Sequence, residues 1–192
     1  MATVDKNKVV DRKHFMGKVI YNRLIEKFGI EDLNPLDITR LIREFDIMID
    51  VNGYRQDIMM LEPISYNAYI NLGKKFITSM KTLRLIPIDV DDKDIDMEYI
   101  NSIIDCLLWS YKLYLYCTYY AKDKSIMAVD SLKSIRGPFY DDGYTTLLDM
   151  ALIYANTNEP RYINGVGPKR YSKFKEFFIT NCAEFKIYEK EH

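Results

Sequence analysis

The sequence predicts an all-α fold, a bundle of about six helices around a central apolar helix, with two helices joined through a glycine hairpin at the C-terminal end. Three observations predict it. Apolar residues recur every three or four positions over residues 15–28, 38–49 and 69–83. Helix-start and helix-stop residues bracket those stretches, and a longer segment, residues 97–120, is apolar nearly all round. With 192 residues and 48% hydrophobic content the chain has enough material for a packed core.

The first helix follows from Phe15, Val19, Ile20, Leu24 and Phe28, with Gly29 as its stop. The second begins at Asn34-Pro35, where Asn caps and Pro fits the first turn, carries Ile38, Leu41, Ile42, Phe45 and Ile49 on one stripe, and ends at Asn52-Gly53. The third, residues 65–85, places Tyr69, Leu72, Phe76, Met80 and Leu83 on one side and contains no acid. Six acids then crowd into residues 89–98. A calcium loop needs Gly at its sixth position and Glu at its twelfth; counted from Asp89 neither is present, so the run predicts a solvated loop whose last acids favour the next helix N-terminus.

That next helix, residues 97–120, is interrupted by Asp105 and Lys112, and its clean apolar stretch is too short to cross a membrane; it predicts the buried centre of the bundle. Residues 136–143, RGPFYDDG, predict a turn-rich break, and residues 145–154 a short helix with Leu147, Leu148, Ala151 and Leu152 inward. The expected organisation is a polar tail at 1–13, a helical core at 14–135 and a C-terminal helical unit at 136–192, the latter two free to pack as one domain.

Composition narrows the function classes. The 27 basic and 28 acidic side chains nearly cancel, so any binding to a polyanion needs a local patch. Three cysteines without a CxxC pair disfavour both a disulfide framework and a zinc site, and the two histidines, His14 and His192, leave no Ser-His-Asp or His-rich metal site to build. Nothing in the carboxylate spacing nominates an acid–base pair, so no enzyme, cofactor or metal is expected. The N-terminal MATVDKNKVVDRK lacks an apolar core and does not read as a signal peptide, which predicts a chain that is not secreted.

One stretch points to a function. In INGVGPKR, residues 163–170, Gly165 and Gly167 permit a sharp bend and a close backbone approach, and Val166 can turn inward between them. Pro168 suits the first turn of a new helix, residues 168–181, with Tyr171, Phe174 and Phe178 in line. The unpaired amides of that first turn and its positive dipole end suit an anion, and Lys169, Arg170 and Lys173 lie beside them. Residues 161–175 hold five basic side chains and no acid. Tyr171 and Tyr162 are candidate stacking groups for bases.

These residues resemble the helix-hairpin-helix motif, and the longer stretch from Pro138 to Thr180 is similar to the second half of the helicase-and-RNase-D C-terminal (HRDC) domain. Pro138-Phe139-Tyr140, Thr146-Leu147, Met150-Ala151, Ile163 through Lys169 and Phe174 stand in that domain's order; the connecting ANTNEPRY is a residue short and lacks an early Pro, and Lys175 replaces a customary Gly. The resemblance implies a non-catalytic module for nucleic acid, DNA before RNA, binding through Gly165, Gly167, Lys169, Arg170 and Lys173. Separately, the N-terminal helix pair resembles head-completion adaptor proteins of tailed bacteriophages, which implies the alternative of a connector or ring subunit meeting other copies and virion proteins. For that alternative, the basic segment 74–84 and the acidic segment 89–98 could pair between copies. Either reading sets the chain in the cytoplasm or inside a virion, with no membrane partner.

Overall fold

The structure is a computed structural model that describes residues 10–29, 34–156, 163–180 and 185–191. Among them are eight α-helices: α1 (Arg12–Phe28), α2 (Pro35–Val51), α3 (Arg55–Met59), α4 (Tyr66–Thr82), α5 (Met97–Leu115), α6 (Arg136–Asp141), α7 (Leu147–Asn156) and α8 (Pro168–Thr180). The strands β1 (Ile64–Ser65) and β2 (Tyr188–Glu189) are two residues each. The fold is all-α. Contacts divide the chain into two discontinuous units, one of Met16–Lys112 with Ala183–His192, the other of Met1–Phe15 with Leu113–Cys182. The division falls inside α5 and not at residue 136. The end of α5 is as apolar as its middle, and the turn that continues it packs on α7.

In the first unit the local signals act as the sequence predicts. The Asn34 side chain accepts the Leu36 N–H at 2.9 Å, Pro35 opens α2, and Ile38, Leu41, Ile42, Phe45 and Ile49 are all buried. The Ser65 side chain caps α4 through the Ala68 N–H, and α4 lays Tyr69, Leu72, Phe76 and Met80 into the core beside α2. Asp96 caps α5 by accepting the Glu98 and Tyr99 N–H groups, so part of the acidic run does serve a helix start. The basic end of α4 meets that run within the chain: Lys81 Nζ reaches Asp92 and the Val90 carbonyl.

The two charges that interrupt α5 are held differently. Asp105 accepts the Tyr69 hydroxyl at 2.7 Å, and burial raises its pKa. Lys112 is fully buried and donates to three main-chain carbonyls, those of Leu61 (3.4 Å), Glu62 (2.6 Å) and Lys186. Leu61 sits at a φ of +61°, an uncommon conformation for a side chain of its size. Burial pushes the Lys112 ammonium down to about 8. These contacts supply what water would otherwise supply, and among the described residues no helix is long and apolar enough to cross a membrane. The Lys186 carbonyl belongs to residues 185–191, which run parallel to β1 with Ile64 opposite Tyr188 and Ser65 opposite Glu189.

The second unit has an aromatic core. Phe139 stacks on Phe174 (centroids 5.1 Å apart), Tyr154 stacks on Phe178 (4.6 Å), and Phe15 meets Phe178 edge-on (5.9 Å). Such pairs contribute about 0.5–1.5 kcal/mol each beyond their burial. Val10 is buried too, its carbonyl accepting the Tyr114 hydroxyl, so the polar tail stops short of residue 10; residues 1–9 lie outside the described ones. Residues 136–141 form a helix where a break is expected. Pro138 lies in the first turn, where a missing N–H costs nothing, and the chain turns only at Gly143, at a φ of +95°. α7 opens on a reciprocal cap: the buried Asp149 carboxylate accepts the Thr145 and Thr146 N–H groups (2.9 and 2.8 Å), and Thr146 Oγ1 accepts the Asp149 N–H. Cys106 and Cys117 are buried, each in the core of its own unit.

Candidate nucleic-acid interface

The candidate interface is built at the bend that leads into α8. Ile163 is buried and anchors the bend, and its carbonyl accepts the Val166 N–H at 3.1 Å. Val166 is only half-buried, so Ile163 takes the inward place that the sequence suggests for Val166. Gly165 has a φ of +81°, and a Cβ there would lie 3.3 Å from the Pro138 ring of α6. Conformation and space both require glycine. At Gly167 a Cβ would meet nothing within 4 Å; the space in front of it is open.

Pro168 starts α8, and the Tyr171 N–H donates to the Gly167 carbonyl at 3.0 Å as the helix's first turn closes. Among the described residues, the N–H groups of Lys169 and Arg170 have no main-chain acceptor. They are the orphan donors that every helix start carries. The bend is exposed at Gly165, Gly167, Pro168, Lys169 and Arg170. Arg170 donates through Nη1 to the Gly165 carbonyl, so its guanidinium both braces the bend and carries charge at its edge.

In front of these groups lies an open depression of about 520 Å³, lined by Ser134, Gly165, Gly167, Pro168, Lys169, Arg170 and Lys173, with no carboxylate among them. Five of the six residues nominated from sequence therefore come together. Tyr171 does not line the depression; its ring lies half-buried on Phe174 (centroids 6.3 Å), with Lys175 Nζ over it at 5.3 Å. Arg161 and Tyr162 lie outside the described residues.

Ser134 is the residue that sequence reasoning misses. It comes from the turn before α6, which packs on α8, and its Oγ lies 3.4 Å from Lys173 Nζ. Lys133 beside it is exposed, and Arg136 donates to the Val129 carbonyl at 3.2 Å. The signal was present in K-S-I-R, two cations around a hydroxyl, but nothing local ties that tetrapeptide to the hairpin. No protein-family model matches the chain, and neither the curated proteins nor the solved structures contain a significant match to it.

Chemically, this arrangement offers amides without main-chain acceptors, a hydroxyl, two ammonium groups and a guanidinium around an open concavity. Such a set accepts an anion whose oxygens are spread in several directions, as a phosphate's are. Among the described residues no group of three or more His, Cys, Asp and Glu side chains is placed to hold a metal ion.

Proposed function

We propose that this is a non-catalytic, nucleic-acid-associated protein that holds a phosphate backbone at the bend between α7 and α8, DNA in preference to RNA, on single strands or junctions. The observation that carries the reading is the coincidence, on one exposed concavity, of two amides without main-chain acceptors and three cations from α8 with no carboxylate lining it. Backbone phosphates need that combination, because the amides fix direction while the cations displace counterions. Gly167 lets the strand approach the main chain, and Ser134 supplies a hydroxyl donor on the far wall.

The setting for this function is one that holds nucleic acid, either the cytoplasm or the inside of a virion. The alternative of a connector subunit keeps the Tyr-rich composition in its favour; of its two oppositely charged segments, Lys81 and Asp92 meet within the chain.

Fluorescence anisotropy with labelled single-stranded, junction and duplex DNA and a single-stranded RNA, from about 50 to 200 mM salt, tests the proposal. Binding that weakens with salt and with loss of Lys169 supports it. The absence of binding at the lowest salt would reject it.

A further inference from the structure

Residues 185–191 raise a separate question, because they follow the unit of Leu113–Cys182 in the chain yet complete the other one. They lie in a slot with three recognition elements. Its edge is β1, whose Ile64 N–H takes the Ile187 carbonyl at 3.2 Å. Its floor is the buried Lys112 ammonium, which takes the Lys186 carbonyl. Its wall is aromatic, with Tyr188 stacked on Tyr69 at 4.4 Å and leaning on Tyr66 at 5.6 Å.

Two of these elements read only main chain, so any extended segment could use them; the tyrosine wall selects an aromatic at the position of Tyr188. Asn67 adds a further selection by donating to the Glu191 carboxylate at 2.6 Å. The segment that satisfies all four is the chain's own, and every copy carries it.

We propose that residues 185–191 are an exchangeable strand, and that the slot formed by β1, Tyr66, Tyr69 and Lys112 takes the same segment from a second copy, linking copies through swapped tails. Exchange recreates every contact without inventing one, which makes it a low-cost route to an oligomer. The ladder that must open is two residues long. An emptied slot leaves a strand edge unpaired and Lys112 short of an acceptor, so it is refilled and does not stay vacant. This inference concerns the unit of Met16–Lys112 and is independent of the binding proposed at α8.

Register supplies the test. Ser65 and Glu189 are opposite one another, so full-length Ser65→Cys and Glu189→Cys chains, each with Cys182→Ser, are mixed and oxidised, and the double variant serves as the internal reference. Exchange predicts a disulfide between the two different copies, rising with concentration and falling by about tenfold or more when Tyr188→Ala is added to the Glu189→Cys chain. Closure of the double variant within one chain, with no mixed disulfide from the mixture, overturns the proposal. If the double variant does not close, native mass spectrometry of heavy and light unmodified chains decides. Mixed oligomers that Tyr188→Ala diminishes support exchange; monomers at every concentration, or oligomers indifferent to Tyr188→Ala, overturn it.

Discussion

Charge removal at α8 gives the sharpest expectation. Lys169, Arg170 and Lys173 are the cations lining the concavity, and all three are exposed. If each meets one phosphate, the slope of log affinity against log salt is about −2.1 for a single strand and about −2.7 for a duplex, from about 0.7 and 0.9 per contact. A fourfold rise in salt then weakens single-strand binding about 20-fold and duplex binding about 40-fold. Lys169→Ala should reduce the single-strand slope to about −1.4, and Lys169→Glu with Arg170→Glu should bring it close to zero, since Lys173 then faces two carboxylates.

The fold should survive these changes. Lys169 makes no ion pair among the described residues, and exposed substitutions of this kind usually stay within about 0.5 kcal/mol. Carboxylates in the first turn of α8 are favoured by the helix dipole by about 0.3–1 kcal/mol, which offsets the loss of the Arg170 brace on Gly165. Anisotropy titrations at four or five salt concentrations, with circular dichroism as the control, measure all of this. A slope unchanged by Lys169→Ala and by the double reversal would refute the reasoning, because the binding would then lie elsewhere on the chain.

Three further outcomes are expected. Gly165→Ala should lower stability by about 1 kcal/mol or more in urea unfolding, because its φ is +81° and its Cβ would press on Pro138, whereas Gly167→Ala should leave stability unchanged and weaken DNA binding if the strand approaches the backbone there. Asp149→Ala removes the acceptor for two N–H groups at the start of α7 and should cost about 1–2 kcal/mol, read as a lower urea midpoint. Lys112 gives a pH dependence: the native ammonium loses its proton near 8 and the unfolded one near 10.5, so the unfolded chain binds more protons between those values and stability rises with pH across that window. Urea midpoints from pH 7 to 10 should show the rise in the native chain and not in Lys112→Met.

How much of this the sequence reveals depends on the range of the interaction. α2 is legible end to end, because Asn34-Pro35, the apolar stripe and Asn52-Gly53 act within a few residues of one another. The bend at Gly165 is legible for the same reason. Gly137-Pro138 misleads, since the same two residues that break a helix interior are tolerated in its first turn. Tyr171 is ambiguous in sequence because a ring three positions before Phe174 can face solvent or lie on it, and the helix geometry sets it on Phe174. The carbonyls that hold Lys112 come from Leu61, Glu62 and Lys186, and no pattern within α5 announces them. Ser134 and β2 belong to the same class, contacts made by packing between distant segments.

A chain with a net charge of −1 can still present a basic concavity, and the structure shows how. Some of its acids are committed locally: Asp96 and Asp149 accept amides at helix starts, Asp50 pairs with Arg55, and Asp92 pairs with Lys81. A carboxylate that caps a helix has its field spent on amides a few ångströms away, and beyond a Debye length of about 8–10 Å salt screens the remainder. The cations lining the concavity at α8 have no such neighbour among the residues that share it with them. Formal charge summed over the chain therefore does not describe what a phosphate would meet at Lys169, where Lys169, Arg170 and Lys173 line the concavity and no carboxylate does.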